Sequence, residues 1–195
     1  MDLELIERVR KYALVVESES RFKHSMRTAK TAEYMCAIYG QNPKEGYFAG
    51  LAHDICKEMR DQLLFSFVSR DGLPISELEY EKPSLLHGRA AAAMLKSDFG
   101  VNNEPLLEAV RFHTFGFPGM GDLAKIVYAA DKIEPGRSHV TSEYHKKLFS
   151  LPLNHLVLYV VKENMDYLKA KGKVVASVTT QFFSWLETIC SEEQL

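Results

Sequence analysis

Six side chains of this sequence combine metal-binding or proton-handling chemistry with unusual settings: His24, His53, Asp54, His87, His113 and Asp131. His53 and Asp54 stand side by side in Gly50-Leu51-Ala52-His53-Asp54-Ile55-Cys56-Lys57-Glu58, an otherwise apolar, helix-compatible stretch. A charged Asp in such a stretch is costly unless something compensates it, and a metal ion is an obvious candidate. Adjacent side chains of a helix point about 100° apart. The pair therefore reaches one ion only from a groove between helices, with further ligands from elsewhere. Asp131 repeats the situation in Tyr128-Ala129-Ala130-Asp131. Each residue alone has a plain structural reading: His24 as a surface or capping histidine, Asp131 as a partner of Lys132 or Arg137. Together they form an imidazole and carboxylate set suited to iron, manganese, cobalt or zinc, and not to calcium.

Helices must position these groups. Leu3, Ile6, Val9, Ala13 and Val16 predict an amphipathic helix over residues 2–17. After a polar break at Ser18 to Ser20, a second pattern places His24 in its first turns and Gly40 at its end. Lys44 to Lys57 is expected as the helix carrying His53 and Asp54, with Ala49, Gly50 and Ala52 small enough to admit a close neighbour. Lys57 falls near the same face; it either meets a phosphate or is a solvated lysine paired with Glu58 or Glu45. Pro83-Ser84 opens a small-faced helix with His87 at its start. Asn103-Glu104-Pro105 opens another that ends at His113-Thr114. The loop Phe115 to Gly121, rich in glycine, either cradles an anion or only connects. Asp122 is expected to cap a helix that Pro135-Gly136 terminates. Helices near 142–150, 154–170 and 174–189 read as an extension, with His139, His145 and His155 as surface or structural residues. The expectation is an all-α chain in one domain over residues 1–195, with a core about 18–137 and C-terminal helices about 142–192.

Composition narrows the function. At 195 residues and 46% hydrophobic, the chain can bury a sizeable core. A net charge of −2 provides no basic field for nucleic acid or anionic membrane. The longest apolar run is about six residues, Leu156 to Val161, against the ~20 of a bilayer span. Met1-Asp2-Leu3-Glu4 is acidic and lacks an apolar signal segment. Cys36, Cys56 and Cys190 are odd in number and widely spaced, arguing against a disulfide framework and against a cysteine zinc site. The expected compartment is the cytoplasm.

Five segments together resemble the HD-domain metal-dependent phosphohydrolases, and most closely their YqeK-type branch, the symmetrical diadenosine tetraphosphate hydrolases. They are Arg21-Phe22-Lys23-His24-Ser25, the segment from Ala49 to Glu58, Leu86-His87-Gly88, Phe112-His113-Thr114-Phe115-Gly116, and Ile126 to Arg137. The resemblance spans about residues 1–190. It implies an all-helical HD fold with His24, His53, Asp54 and Asp131 as metal ligands. It also implies that His87 and His113 face the site, binding either substrate phosphates or a second metal. Arg21 and Lys57 match positions near the nucleotide phosphates, and Gly119, Met120 and Arg137 are candidates for the nucleotide pocket.

The implied reaction is cleavage of diadenosine tetraphosphate to two ADP, a metal-activated water attacking a central phosphate, with Asp54 and Lys57 in catalytic roles. Iron is the expected metal. The partners are a dinucleoside polyphosphate and the ADP product, with no nucleic acid and no membrane; a homodimer is left open. The rival readings are an HD-type nucleotidase acting on nucleoside monophosphates or guanine alarmones, and a non-catalytic nucleotide-binding HD protein.

Overall fold

In the computed structural model, which describes residues 2–193, every regular element among those residues is helical. The chain runs through α1 (Leu3–Val16), α2 (Glu19–Ile38), α3 (Pro43–Ala52), α4 (Asp61–Val68) and α5 (Glu77–Glu81). A 3-10 turn (Pro83–Leu86) leads into α6 (His87–Asp98), followed by α7 (Glu104–Phe112) and α8 (Asp122–Ile133). The last three helices are α9 (Ser142–Leu148), α10 (Leu153–Ala170) and α11 (Ser177–Glu192). Among the described residues, no helix is long and apolar enough to cross a membrane.

Local chemistry sets the boundaries. Asn42 and Asn103 accept hydrogen bonds from the backbone N–H of Lys44 and Leu106, each with a proline in the first turn that follows. Asp122 is not a cap: Gly121 holds that position, and the Asp122 carboxylate pairs with Lys125 at 2.7 Å instead. α8 is the central strut. Leu123 to Ala130 are all buried, with α2, α3, α7 and α10 packed around the helix. α3 crosses α2 at Gly50, where a Cβ would meet the Ala29 Cα at 2.8 Å and the Thr28 carbonyl at 2.9 Å. Only a glycine lets the two backbones approach so closely.

The helix expected from Lys44 to Lys57 ends earlier, at Ala52. The His53 ring Nδ1–H donates to the Gly50 carbonyl at 2.7 Å, competing for the acceptor that a continuing helix would offer to the Asp54 N–H. The backbone then proceeds in tight turns, with Ile55, Lys57 and Met59 donating to the carbonyls three residues back. His53 and Asp54 are thus presented by a helix terminus and not by a helix face.

Candidate metal centre

Four imidazoles and two carboxylates converge where α2, the end of α3, the start of α6, the end of α7 and α8 meet. His24 Nε2 lies 3.2 Å from His53 Nε2 and 3.1 Å from Asp131 Oδ1. His53 Nε2 is 3.7 Å from the same Asp131 oxygen. His87 Nε2 and His113 Nε2 form a second pair, 2.9 Å apart. Asp54 stands between the pairs. Its Oδ1 is 3.0 Å from His87 and 3.7 Å from His113, while its Oδ2 is 3.5 Å from His53 and 3.8 Å from His24. Asp54 and all four histidines are buried; Asp131 is partly open to the cleft.

The protonation of these rings is constrained by their outer nitrogens. His53, His87 and His113 each place Nδ1 2.7 Å from the backbone carbonyl three residues earlier, on Gly50, Ser84 and Val110. A carbonyl only accepts, so each Nδ1 carries hydrogen and each neutral ring turns a bare lone pair on Nε2 toward the centre. His24 reaches the same state differently, its Nδ1 facing the Glu134 carboxylate at 3.1 Å. Burial pushes His53 down to about 4 and lowers His87 and His113, with Asp54 offsetting part of the effect. Those three rings are therefore without a second proton at neutral pH. Burial also works against the charge on His24, but Asp131 and Glu134 outweigh it and raise its pKa.

Lone pairs 3.2 Å and 2.9 Å apart, faced by carboxylate oxygens, repel one another unless a cation sits among them. The donor set, imidazole nitrogen with carboxylate oxygen, fits a divalent transition metal. Two overlapping groups here bring their donor atoms close enough to hold one ion: His24, His53 and Asp131, and His53, Asp54 and His113.

Cations surround the carboxylates. Arg21 donates to Asp54 Oδ2 at 2.7 Å. Lys132 donates to Asp131 Oδ2 at 3.1 Å and to the His113 carbonyl at 2.9 Å, and lies over the Tyr128 ring. Arg137 donates to Asp131 Oδ1 at 2.8 Å. Burial alone would lift the Asp131 carboxyl; Lys132 and the histidines reverse this and hold it well below the usual range. Lys57 pairs with neither Glu45 nor Glu58. Its Nζ lies 3.3 Å from His87 Nδ1, burial lowers its pKa, and Glu58 instead accepts from Ser18.

These groups floor a cavity of about 1100 Å³. Arg21, Asp54, Lys57, His87, His113, Asp131 and Arg137 all line it, so the structure gathers most of the residues singled out in the sequence. Gly119 and Met120 are not in its wall. Met120 is buried, and the loop uses its own N–H groups, Gly121 donating to Glu108 and Met120 to the Phe117 carbonyl. Lys132, expected only as a partner of Asp131, makes that pair inside the site, while Glu134 and Arg27 were not among the candidate residues. His139, expected as a surface or structural residue, lines the outer cleft with Tyr144. The available signal was the run Asp131-Lys132-Ile133-Glu134-Pro135-Gly136-Arg137, in which every residue but Ile133 is charged or turn-forming.

An HD domain profile matches residues 21–136. The chain is 30% identical to the symmetrical bis(5'-nucleosyl)-tetraphosphatase of Bacillus subtilis, over 87% of this chain and 90% of that one. It is 34% identical to the protein of the same name from Staphylococcus aureus, over 68% of each. Among solved structures, a crystal structure from Clostridium acetobutylicum, described as a predicted HD superfamily hydrolase involved in NAD metabolism, superposes with a TM-score of 0.85. That match is at 28% identity and covers 93% of this chain and 96% of the other.

Proposed function

The chain belongs to the HD-domain family and, within it, to the symmetrical bis(5'-nucleosyl)-tetraphosphatases, and we propose that it hydrolyses diadenosine tetraphosphate at the central anhydride to give two ADP. The observation that carries this reading is the convergence of four imidazoles and two carboxylates at a cation-lined cleft whose wall includes Asp54, His87, His113 and Asp131. His24, His53, Asp54 and Asp131 would hold the metal, and the mixed nitrogen and oxygen set supports iron, with manganese, cobalt or zinc as substitutes. A divalent cation held there supplies Lewis acidity, lowering the pKa of water and polarising a phosphoryl oxygen.

The remaining work falls to the chain's own side chains. His87 and His113, with hydrogen only on Nδ1, cannot donate to a phosphate while neutral. They serve as further metal ligands or as proton acceptors, and Asp54, with one oxygen toward each histidine pair, orients the attacking water. Lys57, Arg21 and Arg137 offer N–H groups to the phosphates and offset the charge that spreads over the phosphoryl group in flight. Water adds at one central phosphorus as the bridging oxygen departs with the second ADP. That oxygen is already a good leaving group, so no dedicated strong acid is required.

We read residues 1–195 as one HD-type domain in which the C-terminal helices brace the site. Thr179 of α11 donates to the Phe115 carbonyl at 2.9 Å, just beyond His113. The free, buried thiols of Cys36, Cys56 and Cys190 support a reducing compartment, the cytoplasm. The test is chromatography of the products that purified, metal-loaded protein forms from diadenosine tetraphosphate. ADP as sole product is expected; AMP with ATP, or no turnover, would overturn the assignment.

A further inference from the structure

Three of the four central histidines hold their rings with a local carbonyl. His24 has no such option. It lies within α2, where the carbonyl three residues back, on Arg21, is engaged in the helix. Its Nδ1–H turns to a residue 110 positions away, the Glu134 carboxylate that follows α8. Glu134 is 1% exposed and fully engaged. Oε1 faces His24, while Oε2 accepts from Arg27 Nε and from the Gly136 N–H at 2.5 Å. Arg27 is three residues after His24 on the same helix, so the carboxylate is gripped by two side chains of neighbouring turns.

Gly136 has a place in this arrangement beyond ending a helix. A Cβ there would lie 2.3 Å from Arg27 Nε and 2.4 Å from its Cζ. The Glu134-Pro135-Gly136 turn therefore presents an acceptor and leaves the space in which the guanidinium lies.

We infer that Glu134 is a positioning residue for the metal centre: anchored by Arg27 in the seat that Gly136 leaves, it fixes the tautomer and direction of His24 so that Nε2 faces His53 and Asp131. The inference rests on the assignment of His24 as a ligand. Carboxylate partners of ligating histidines raise ligand basicity and fix the ring, and their loss typically costs about 10–100-fold in metal affinity or activity.

The test uses the full chain and zinc as a diamagnetic probe. Glu134→Ala should weaken zinc binding about 10–100-fold by competition titration. In the nitrogen-proton spectrum of the zinc-loaded protein it should abolish the Nδ1–H signal of His24 alone, leaving those of His53, His87 and His113. KM for diadenosine tetraphosphate at saturating metal should stay unchanged. Glu134→Gln retains an acceptor oxygen and should restore most of the affinity. Gly136→Ala displaces only the flexible end of Arg27, so the metal-free melting temperature should hold while zinc affinity falls in the same direction by a smaller factor. This variant and the glutamine variant decide the matter if Glu134→Ala fails to fold. Wild-type zinc affinity together with a retained His24 signal in the variants would overturn the inference. A wild type that binds zinc but does not cut diadenosine tetraphosphate would remove the substrate assignment and leave this inference standing.

Discussion

Arg21 and Asp54 form a 2.7 Å ion pair at the floor of the cleft, a one-third exposed guanidinium against a carboxylate that is almost wholly buried. Asp54 faces the imidazoles, and Arg21 offsets its charge from the cleft side. Asp54→Asn halves the acceptor capacity between the histidine pairs. Both metal content and turnover should fall by more than the ~100-fold that loss of an outer partner can cost. Metal analysis of the purified variant beside product chromatography checks this, and near-normal turnover would refute the centre.

Lys57→Ala should leave the metal in place and weaken substrate handling. One charge-assisted hydrogen bond is worth about 1.5–3 kcal/mol, so kcat/KM should fall roughly ten- to a hundred-fold with metal content unchanged. Unaltered steady-state constants would return Lys57 to a structural role beside His87.

Chelation gives a complementary expectation. Stripping the metal should leave the inward lone pairs uncompensated, so the melting temperature should drop and activity vanish. Both should return on adding back a divalent transition metal, the stabilisation growing with free-metal concentration as binding linkage requires. A melting temperature indifferent to metal would contradict the site.

Stability should also depend on a carboxyl outside the centre. Glu17, 7% exposed and contacted by the Ser25 hydroxyl, is pushed by burial from 4.5 to about 7. A carboxyl raised on folding favours the native state below its ordinary value, and that advantage is lost as pH rises through about 7. The full effect corresponds to about 3 kcal/mol. Glu17→Gln should match the wild type near pH 5 and exceed it in urea midpoint near pH 8. A constant offset between the two pH values would refute this account.

The crossing at Gly50 offers a mechanical test. Gly50→Ala places a Cβ against the α2 backbone, where no flexible side chain can yield. A loss of about 1–3 kcal/mol is expected, together with weaker metal binding, because α3 carries His53 toward His24. Thermal melts and metal titration of the variant measure the two effects.

What the sequence revealed and what it hid have physical causes. His53, Asp54 and Asp131 stood out because ionisable groups in apolar segments need a reason to be there, whereas His24, His87 and His113 joined them only through the joint pattern and the family resemblance. The helix entry at Asn103 was legible because capping is local. The early end of α3 was not, because it depends on the His53 ring competing for a carbonyl, and no breaker residue marks the spot. Arg27 and Glu134 were illegible for the opposite reason: each is unremarkable alone, and their function exists only where distant turns meet. Gly119 and Met120 came in with the family resemblance; neither lines the cleft, and the Met120 N–H is engaged by the Phe117 carbonyl.

The distance along the chain between His24 and its Glu134 partner also orders events during folding. Contacts 110 residues apart close only after nearby helices have paired, because loop-closure entropy must first be overcome. A half-folded chain with α2 and α3 docked displays His24, His53 and Asp54, but lacks both Asp131 and the carboxylate that aims the first ring. The full set of inward groups, with the carboxylate that aims His24, therefore exists only where the two ends of the core have met.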